Sequence, residues 1–230
     1  MGIVVVSLGG SLLFREGKFD LAYARKAAES FRALTKQGIK LVIVTGGGKR
    51  AREYAQIARK KYGSEFFADR EAIHATRENA AGILKAIGEA AFQRILEKFD
   101  DADTALEKHD IAVGGGILEG LTTDAVCVLF AEKLKANAVV NLGDTAGVYA
   151  SDPKKNPDAK RFAKMSHEAL LGLAIRGDAR KAGTHFVFDL VAAKLAARSN
   201  IPLRFVDGRD IGQAEAAIAG KKFQGTSVED

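Results

Sequence analysis

A chain of 230 residues is long enough to bury a substantial core, and 47% hydrophobic with 28% charged residues is ordinary for a soluble globular protein. Its net charge of +6 comes from 35 basic and 29 acidic residues spread along the chain. Only Lys49-Arg50-Ala51-Arg52 is compact, and no interleaved aromatics accompany it, so nucleic acid is disfavoured as a partner. The one cysteine, Cys127, excludes an intrachain disulfide, and its apolar helical setting suggests a buried small side chain. No apolar run approaches the ~20 residues of a membrane span and no basic leader precedes the first strand, so a cytoplasmic location is expected without membrane attachment. Three prolines and no Ser/Gly-rich tract leave no linker, which predicts one domain over residues 1–230.

In chain order, Ile3–Leu8 is a continuous β-branched run, the pattern of a strand buried on both faces, and it ends at Gly9-Gly10-Ser11. A helix capped by Asp20 runs to about Gln37, with Leu21, Ala24, Ala28, Phe31 and Leu34 on one face and Gly38 past its end. A second buried strand, Ile39–Val44, ends at Thr45-Gly46-Gly47-Gly48. The next helix, from about Lys49 to Tyr62, turns Ala51, Ala55, Ala58 and Tyr62 inward and stops at Gly63. A longer helix is predicted from Asp69 to about Ala91, with Ile73, Thr76, Ala80, Leu84 and Ile87 along one stripe. Phe92–Phe99 fits helix or strand, and Asp101–His109 reads as a short helix.

Residues 111–125 then give a buried strand (Ile111, Ala112, Val113), three glycines (Gly114, Gly115, Gly116), a small loop, and Thr122-Thr123-Asp124 opening a helix that runs to about Lys135. Bare glycine backbone beside a helix start suits a phosphate or carboxylate ligand, although a ligand-free turn fits this stretch alone equally well. Beyond it, Ala138–Leu142 is a strand, Gly143 to about Met165 a long polar loop, and Ser166–Ala174 and Phe188–Asn200 short helices flanking Lys181-Ala182-Gly183. Pro202–Val206 is a strand, Ile211–Ala219 a helix, and Thr226–Val228 a last edge strand.

Alternating strands and helices predict an α/β fold with a mainly parallel central sheet, whose ligands gather at the carboxyl ends of the strands. Three strands end in glycine clusters there, so a polyanion site is expected. Neither a P-loop nor a dinucleotide fingerprint occurs. The four histidines, His74, His109, His167 and His185, lack metal-ligand spacing with one another or with Cys127; each reads as a surface or cap residue, and no protein metal site is expected. Glycine backbone, scattered Lys/Arg and a few carboxylates are the components of direct phosphoryl transfer.

Together, Gly9-Gly10-Ser11, Gly46-Gly47-Gly48 with Arg52, Thr122-Thr123-Asp124-Ala125 and Gly147-Val148-Tyr149-Ala150-Ser151-Asp152-Pro153 resemble the amino-acid kinase superfamily, with the match closest to its archaeal-type uridylate (UMP) kinases. The resemblance runs from end to end, through Lys181-Ala182-Gly183, Asp189-Leu190 and Gly225-Thr226. It implies a single-domain three-layer α/β/α sandwich that phosphorylates UMP with Mg-ATP, needs Mg²⁺, and assembles as a homo-oligomer, commonly a hexamer. It also implies roles. Gly9, Gly10 and Ser11 would hold the transferring phosphate, with Gly9, Gly10 and Asp124 as the catalytic group. Gly48, Arg52, Asp144, Tyr149 and Asp152 would complete the ATP site. Gly47, Asp69 and the loop Gly116, Ile117, Leu118, Glu119, Gly120, Leu121, Thr122 and Thr123 would bind UMP.

The chain departs from the family at several positions. Ser7 stands where many members carry a lysine, and Ala72, Gly143 and Ala146 replace glycine, threonine and aspartate. The 116–121 loop reads one residue longer than usual and places Glu119 beside the expected acceptor. A kinase for another small phosphate or a carboxylate, or a nucleotide-binding protein without turnover, are the alternative readings.

Overall fold

In the computed structural model, which describes residues 2–156, 158–178 and 188–230, the first strand β1 spans Gly2–Leu8. A short 3₁₀ turn, Gly10–Leu13, leads into a hairpin that the sequence did not reveal, β2 (Phe14–Arg15) and β3 (Lys18–Phe19). Glu16 and Gly17 both take positive φ at its tip, the geometry of a tight two-residue hairpin. Helix α1 (Leu21–Thr35) follows, with the Asp20 carboxylate accepting from the Tyr23 N–H as the expected cap. Ala24, Ala28, Phe31 and Leu34 are buried, whereas Leu21 is 59% exposed. It stands at the first helical position, before the part of the helix that buries side chains begins at Ala24.

Strand β4 (Ile39–Thr45) is followed by α2 (Gly48–Tyr62) and α3 (Glu65–Ile87). Helix α2 packs on α3 and buries only Ala58; Tyr62, expected inward, is 48% exposed and packs on the ring of Phe67. Helix α3 starts four residues before the expected Asp69, because Ser64 holds the extended N-cap conformation, and stops at Gly88 with φ +70°. The ambiguous 92–99 stretch resolves as β5 (Ala91–Leu96), an edge strand whose exposed Gln93 and Arg94 explain its mixed pattern. Then come α4 (Asp101–Lys108), β6 (Ile111–Gly114), α5 (Thr123–Lys133) and β7 (Ala138–Gly143). The long loop that follows is mostly irregular but ends in β8 (Lys164–Met165). The chain finishes with α6 (His167–Asp178), α7 (Leu190–Arg198), β9 (Leu203–Asp207), α8 (Ile211–Ile218) and β10 (Thr226–Val228). The Lys181-Ala182-Gly183 segment and His185 lie outside the described residues.

Among the described residues eight strands form one sheet in the order β5-β6-β4-β1-β7-β9-β10-β8. The first six run parallel, while β10 is antiparallel to β9 and parallel to β8. Thr226–Val228 is therefore not the edge: the two-residue β8, hidden in a polar loop, covers it. One core packs α1, α3 and α8 on one face of the sheet; the other packs α4, α5, α6 and α7 on the opposite face. The result is the expected three-layer α/β/α sandwich. Alternation along β1 assigns Val4, Val6 and Leu8 to the first core and Val5 to the second. Cys127 is buried in the second core, as expected. His167 contradicts its expected surface or cap role. It is 2% exposed, and its ring nitrogens contact the Asp230 carboxylate at 3.1 Å and the Ile201 carbonyl at 2.8 Å, which satisfies a polar ring inside the protein. No helix among the described residues is long and apolar enough to cross a membrane.

Candidate active site

Strand register brings the glycine turns together. Leu8 pairs with Thr45 and with Leu142, and Val44 pairs with Gly114, so β4, β1, β6 and β7 all end at one level. The Gly9 N–H donates to the Leu142 carbonyl at 2.9 Å, and the Gly46 N–H to the Leu8 carbonyl at 2.8 Å. The two turns then meet backbone to backbone. A Cβ at Gly10 would lie 2.4 Å from the Gly48 nitrogen and 2.5 Å from the Gly46 carbonyl oxygen. Gly48, at φ +61°, starts α2 with no acidic residue in its first turn. Arg50 is tied to the Tyr54 hydroxyl and, at 3.0 Å, to Glu78, whereas Arg52 is exposed. A helix N-terminus on a glycine turn attracts an anion through its N–H groups and dipole.

Helix α5 carries Asp124 to the same strand ends. Thr122 is its N-cap, its Oγ1 accepting from the Ala125 N–H at 3.2 Å, and Ala125 to Val128, Phe130 and Ala131 are buried around it. The carboxylate Oδ1 accepts from Ser7 Oγ at 2.9 Å and from Asn141 Nδ2 at 3.0 Å. Ser7 and Asn141 are register partners on β1 and β7, so both reach α5 from the same face of the sheet. Desolvation pushes the Asp124 carboxyl up to about 7, the nearby Asp189 charge adds to it, and the Ser7 and Asn141 hydrogen bonds oppose it. Asp189 caps α7 through the Val191 and Ala192 N–H groups and accepts from the Thr122 hydroxyl. Ser7 thus serves as a neutral donor to Asp124. Ser7 and Asn141 interrupt otherwise apolar strands, a signal in the sequence, but only register shows that they converge.

The 116–121 loop lies against α3. Gly116 donates its N–H to Thr76 Oγ1 at 2.7 Å and accepts at its carbonyl from Arg77 Nε at 3.2 Å. Gly120, at φ +83°, donates to Asp69 Oδ2 at 2.9 Å, so Asp69 is not a helix cap but a loop contact from the second turn of α3. Glu119 pairs with Arg70 at 3.3 Å, which accounts for its charge in this position. A hydrogen bond to its own backbone N–H, followed by Arg70 and Arg77, holds its carboxyl below the usual range despite some desolvation. Ile117 and Leu121 pack partly against the core, while Leu118 is exposed. Gly47 packs on Ala51 and Thr76; a Cβ there would lie 2.2 Å from that of Ala51.

The adenosine-loop candidates are more dispersed. Asp144 follows the end of β7 and pairs with Lys154 at 2.5 Å, while its carbonyl accepts from Arg209 Nη2 at 2.7 Å. Tyr149 bridges to Arg161 across the loop. Asp152 builds a turn by accepting from the Lys154 N–H at 2.9 Å. Thr226 Oγ1 anchors this loop by accepting from the Val148 N–H at 2.9 Å. The described residues bring no three His, Cys, Asp or Glu side chains together as a metal cage.

Comparison with known proteins agrees with this geometry. Residues 2–207 match the model of the amino acid kinase family. The chain is 39% identical to the uridylate kinase of Methanocorpusculum labreanum, over 98% of this chain and 94% of that protein. It is 38% identical to that of Methanocaldococcus jannaschii, over 89% and 90% respectively. The crystal structure of uridylate kinase from Archaeoglobus fulgidus superposes with a TM-score of 0.86 at 34% identity, covering 99% of this chain and 100% of that one. With its sheet order, glycine turns and α5 carboxylate in place, the chain belongs to the amino acid kinase family.

Proposed function

We infer that the chain is a uridylate kinase, an ATP-dependent phosphotransferase that moves the γ-phosphoryl group of ATP to UMP and releases UDP and ADP. The row of in-register strand ends, with the 9–11 and 46–48 turns and Asp124 along it, supports the chemistry most directly. Full-length similarity to archaeal uridylate kinases supports the acceptor. Phosphoryl transfer needs positioning and charge neutralisation more than covalent help. An oxygen of the UMP phosphate forms the new bond to the γ-phosphorus as the bond to the ADP oxygen breaks. A phosphate monoester has a second pKa near 6, so at neutral pH its oxygen is already largely deprotonated and no general base is required.

Roles follow from that demand. The Gly9, Gly10 and Ser11 N–H groups would grip the transferring phosphoryl, and the α2 start at Gly48 with exposed Arg52 would draw off its charge. Asp144, Tyr149 and Asp152 would receive adenosine. Gly47 and residues 116–123 would hold UMP; Asp69 gives one oxygen to Gly120, and we assign its other oxygen to a ribose hydroxyl. Asp124 would orient positive charge about the phosphoryl. Mg²⁺ fits this donor set, because a carboxyl raised by burial, and further by the neighbouring charge of Asp189, gains from a cation, and Mg²⁺ commonly takes one or two carboxylates plus substrate phosphates. Carried in with ATP, it would neutralise the phosphate oxygens. With Ser7 neutral, Arg52 is our choice for the cationic side chain.

By the same resemblance we propose one domain, a cytoplasmic location and a homo-oligomer, a hexamer by family habit. Tyr62, Phe66 and Phe67 form an exposed aromatic cluster on α2 and α3, with Ile57 also exposed on α2; this surface is compatible with assembly, and sedimentation velocity tests it. The function is tested with purified protein, Mg-ATP and a panel of nucleoside monophosphates and other small phosphates. UMP should accelerate ADP release most; ADP release with UMP no faster than with no acceptor would sink the reading.

A further inference from the structure

Helix α3 touches the acceptor loop at both ends. Asp69 and Arg70 hold Gly120 and Glu119; Thr76 and Arg77, seven residues later, hold the N–H and the carbonyl of Gly116. Seven residues are two helical turns, about 10 Å of rise, so the loop is laid along one face of the helix. Thr76 is the residue where this loop meets the phosphate turn. It is 6% exposed. Its hydroxyl donates to the Ile73 carbonyl at 2.6 Å, which turns a lone pair toward the Gly116 N–H. Its carbonyl accepts from Thr45 Oγ1 at 2.8 Å, at the very end of β4. One turn on, Asn79 Nδ2 donates to the Gly46 carbonyl at 2.8 Å. A Cβ on Gly115 would lie 2.5 Å from Thr76 Oγ1, so the loop backbone rests directly on this side chain.

We propose that Thr76 is a positioning residue for phosphoryl transfer, setting the start of the acceptor loop against the Gly46–Gly48 turn through its hydroxyl. The proposal rests on the reading of residues 116–123 as the UMP site. The reacting oxygen must approach the γ-phosphorus to about 3–3.5 Å in line, and an error of ~1 Å in a supporting contact can cost roughly a hundredfold in rate. A threonine that merely satisfied its own helix would affect stability without separating the two substrates.

That separation is the test. Thr76→Val keeps the shape but leaves the buried Gly116 N–H without its acceptor, while Thr76→Ser keeps the oxygen. Removing such an acceptor should raise the KM for UMP roughly tenfold, with the KM for ATP within about twofold of wild type, and the serine variant should recover wild-type constants within about twofold. A folded valine variant with unchanged KM for UMP, or with both KM values raised by the same factor, overturns the proposal. If the valine variant does not fold, Arg77→Met frees the other side of Gly116 from a less buried position. It should raise the KM for UMP about two- to fivefold and spare ATP, as loss of a charged hydrogen bond to the Gly116 carbonyl implies; the pair it also loses to exposed Glu97 contributes little. An unsplit Arg77→Met variant overturns the proposal equally. Wild-type protein inactive on UMP would remove the acceptor reading and this proposal together; an active wild type without the split removes this proposal alone.

Discussion

The turns proposed to hold phosphate and the loop proposed to hold the acceptor lie at the same end of one sheet, yet they are held by different means. Gly9–Ser11 and Gly46–Gly48 are fixed mainly by main chain packed on main chain, with no space for a Cβ at Gly10, and Asn79 adds one side-chain hydrogen bond to the Gly46 carbonyl. Residues 116–121 are fixed by side chains of α3: Asp69, Arg70, Thr76 and Arg77. Backbone packing admits few substitutions and suits the triphosphate that every member of a kinase family shares. Side-chain anchoring can change with sequence and suits an acceptor that differs among them. Glu119 falls in the second region, and Arg70 absorbs its charge there.

Breaking the centre between the two regions should have the largest effect. Asp124→Asn preserves both hydrogen bonds, because Ser7 and Asn141 donate to the same oxygen, but removes the charge. Turnover should fall on the order of a hundredfold or more, as for loss of a preorganised electrostatic group; wild-type turnover would refute the role. The same variant has a pH signature. Between about 3.8 and about 7 the folded state keeps the Asp124 proton that the unfolded chain releases, so this group lowers stability as pH rises through that window. Above pH 7 the asparagine variant should therefore be the more stable protein, by about 2 kcal/mol once solvent screening at the cleft is allowed for, or a few degrees in melting temperature. At pH 4 the advantage should vanish. In the wild type, kcat/KM should decline as pH falls below about 7, where the free enzyme protonates this group.

Gly10→Ala sharpens the contrast from the donor side. Its methyl group would meet the Gly48 nitrogen and the Gly46 carbonyl, and the turns must separate by a large fraction of an ångström. Activity should drop roughly a hundredfold whichever acceptor is offered. An effect confined to UMP would contradict the division. The smallest change is Glu119→Gln. The Arg70–Glu119 pair is partly exposed, so its loss should raise the KM for UMP only about two- to fivefold, with the KM for ATP unaltered. A larger effect on ATP would mean that the loop serves the donor.

Legibility in the sequence followed the physical origin of each feature. Periodicity and glycine punctuation revealed β1, α1, β4, β6 and the strand-end turns, because burial on one or both faces dictates those patterns. Motif order revealed the family. What escaped depended on partners distant in sequence. The β2–β3 hairpin has two-residue strands, too short for a period, and β8 is a pair of residues in a polar loop. The edge strand β5 mixes exposed and buried positions, so its pattern fitted two states. Asn141 and Thr76 became part of the site only through strand register and helix placement; on the page of letters Thr76 was one more residue of a buried stripe. The α3 start was expected at Asp69, and Ser64 moved it four residues earlier.

The most direct measurement follows the phosphoryl group itself. Wild-type protein given UMP and ATP labelled in the γ-phosphate, with Mg²⁺, should form labelled UDP and ADP in equal amounts, and UDP formation should collapse in Asp124→Asn. ADP formed without matching labelled UDP would contradict the assignment of this chain as a uridylate kinase.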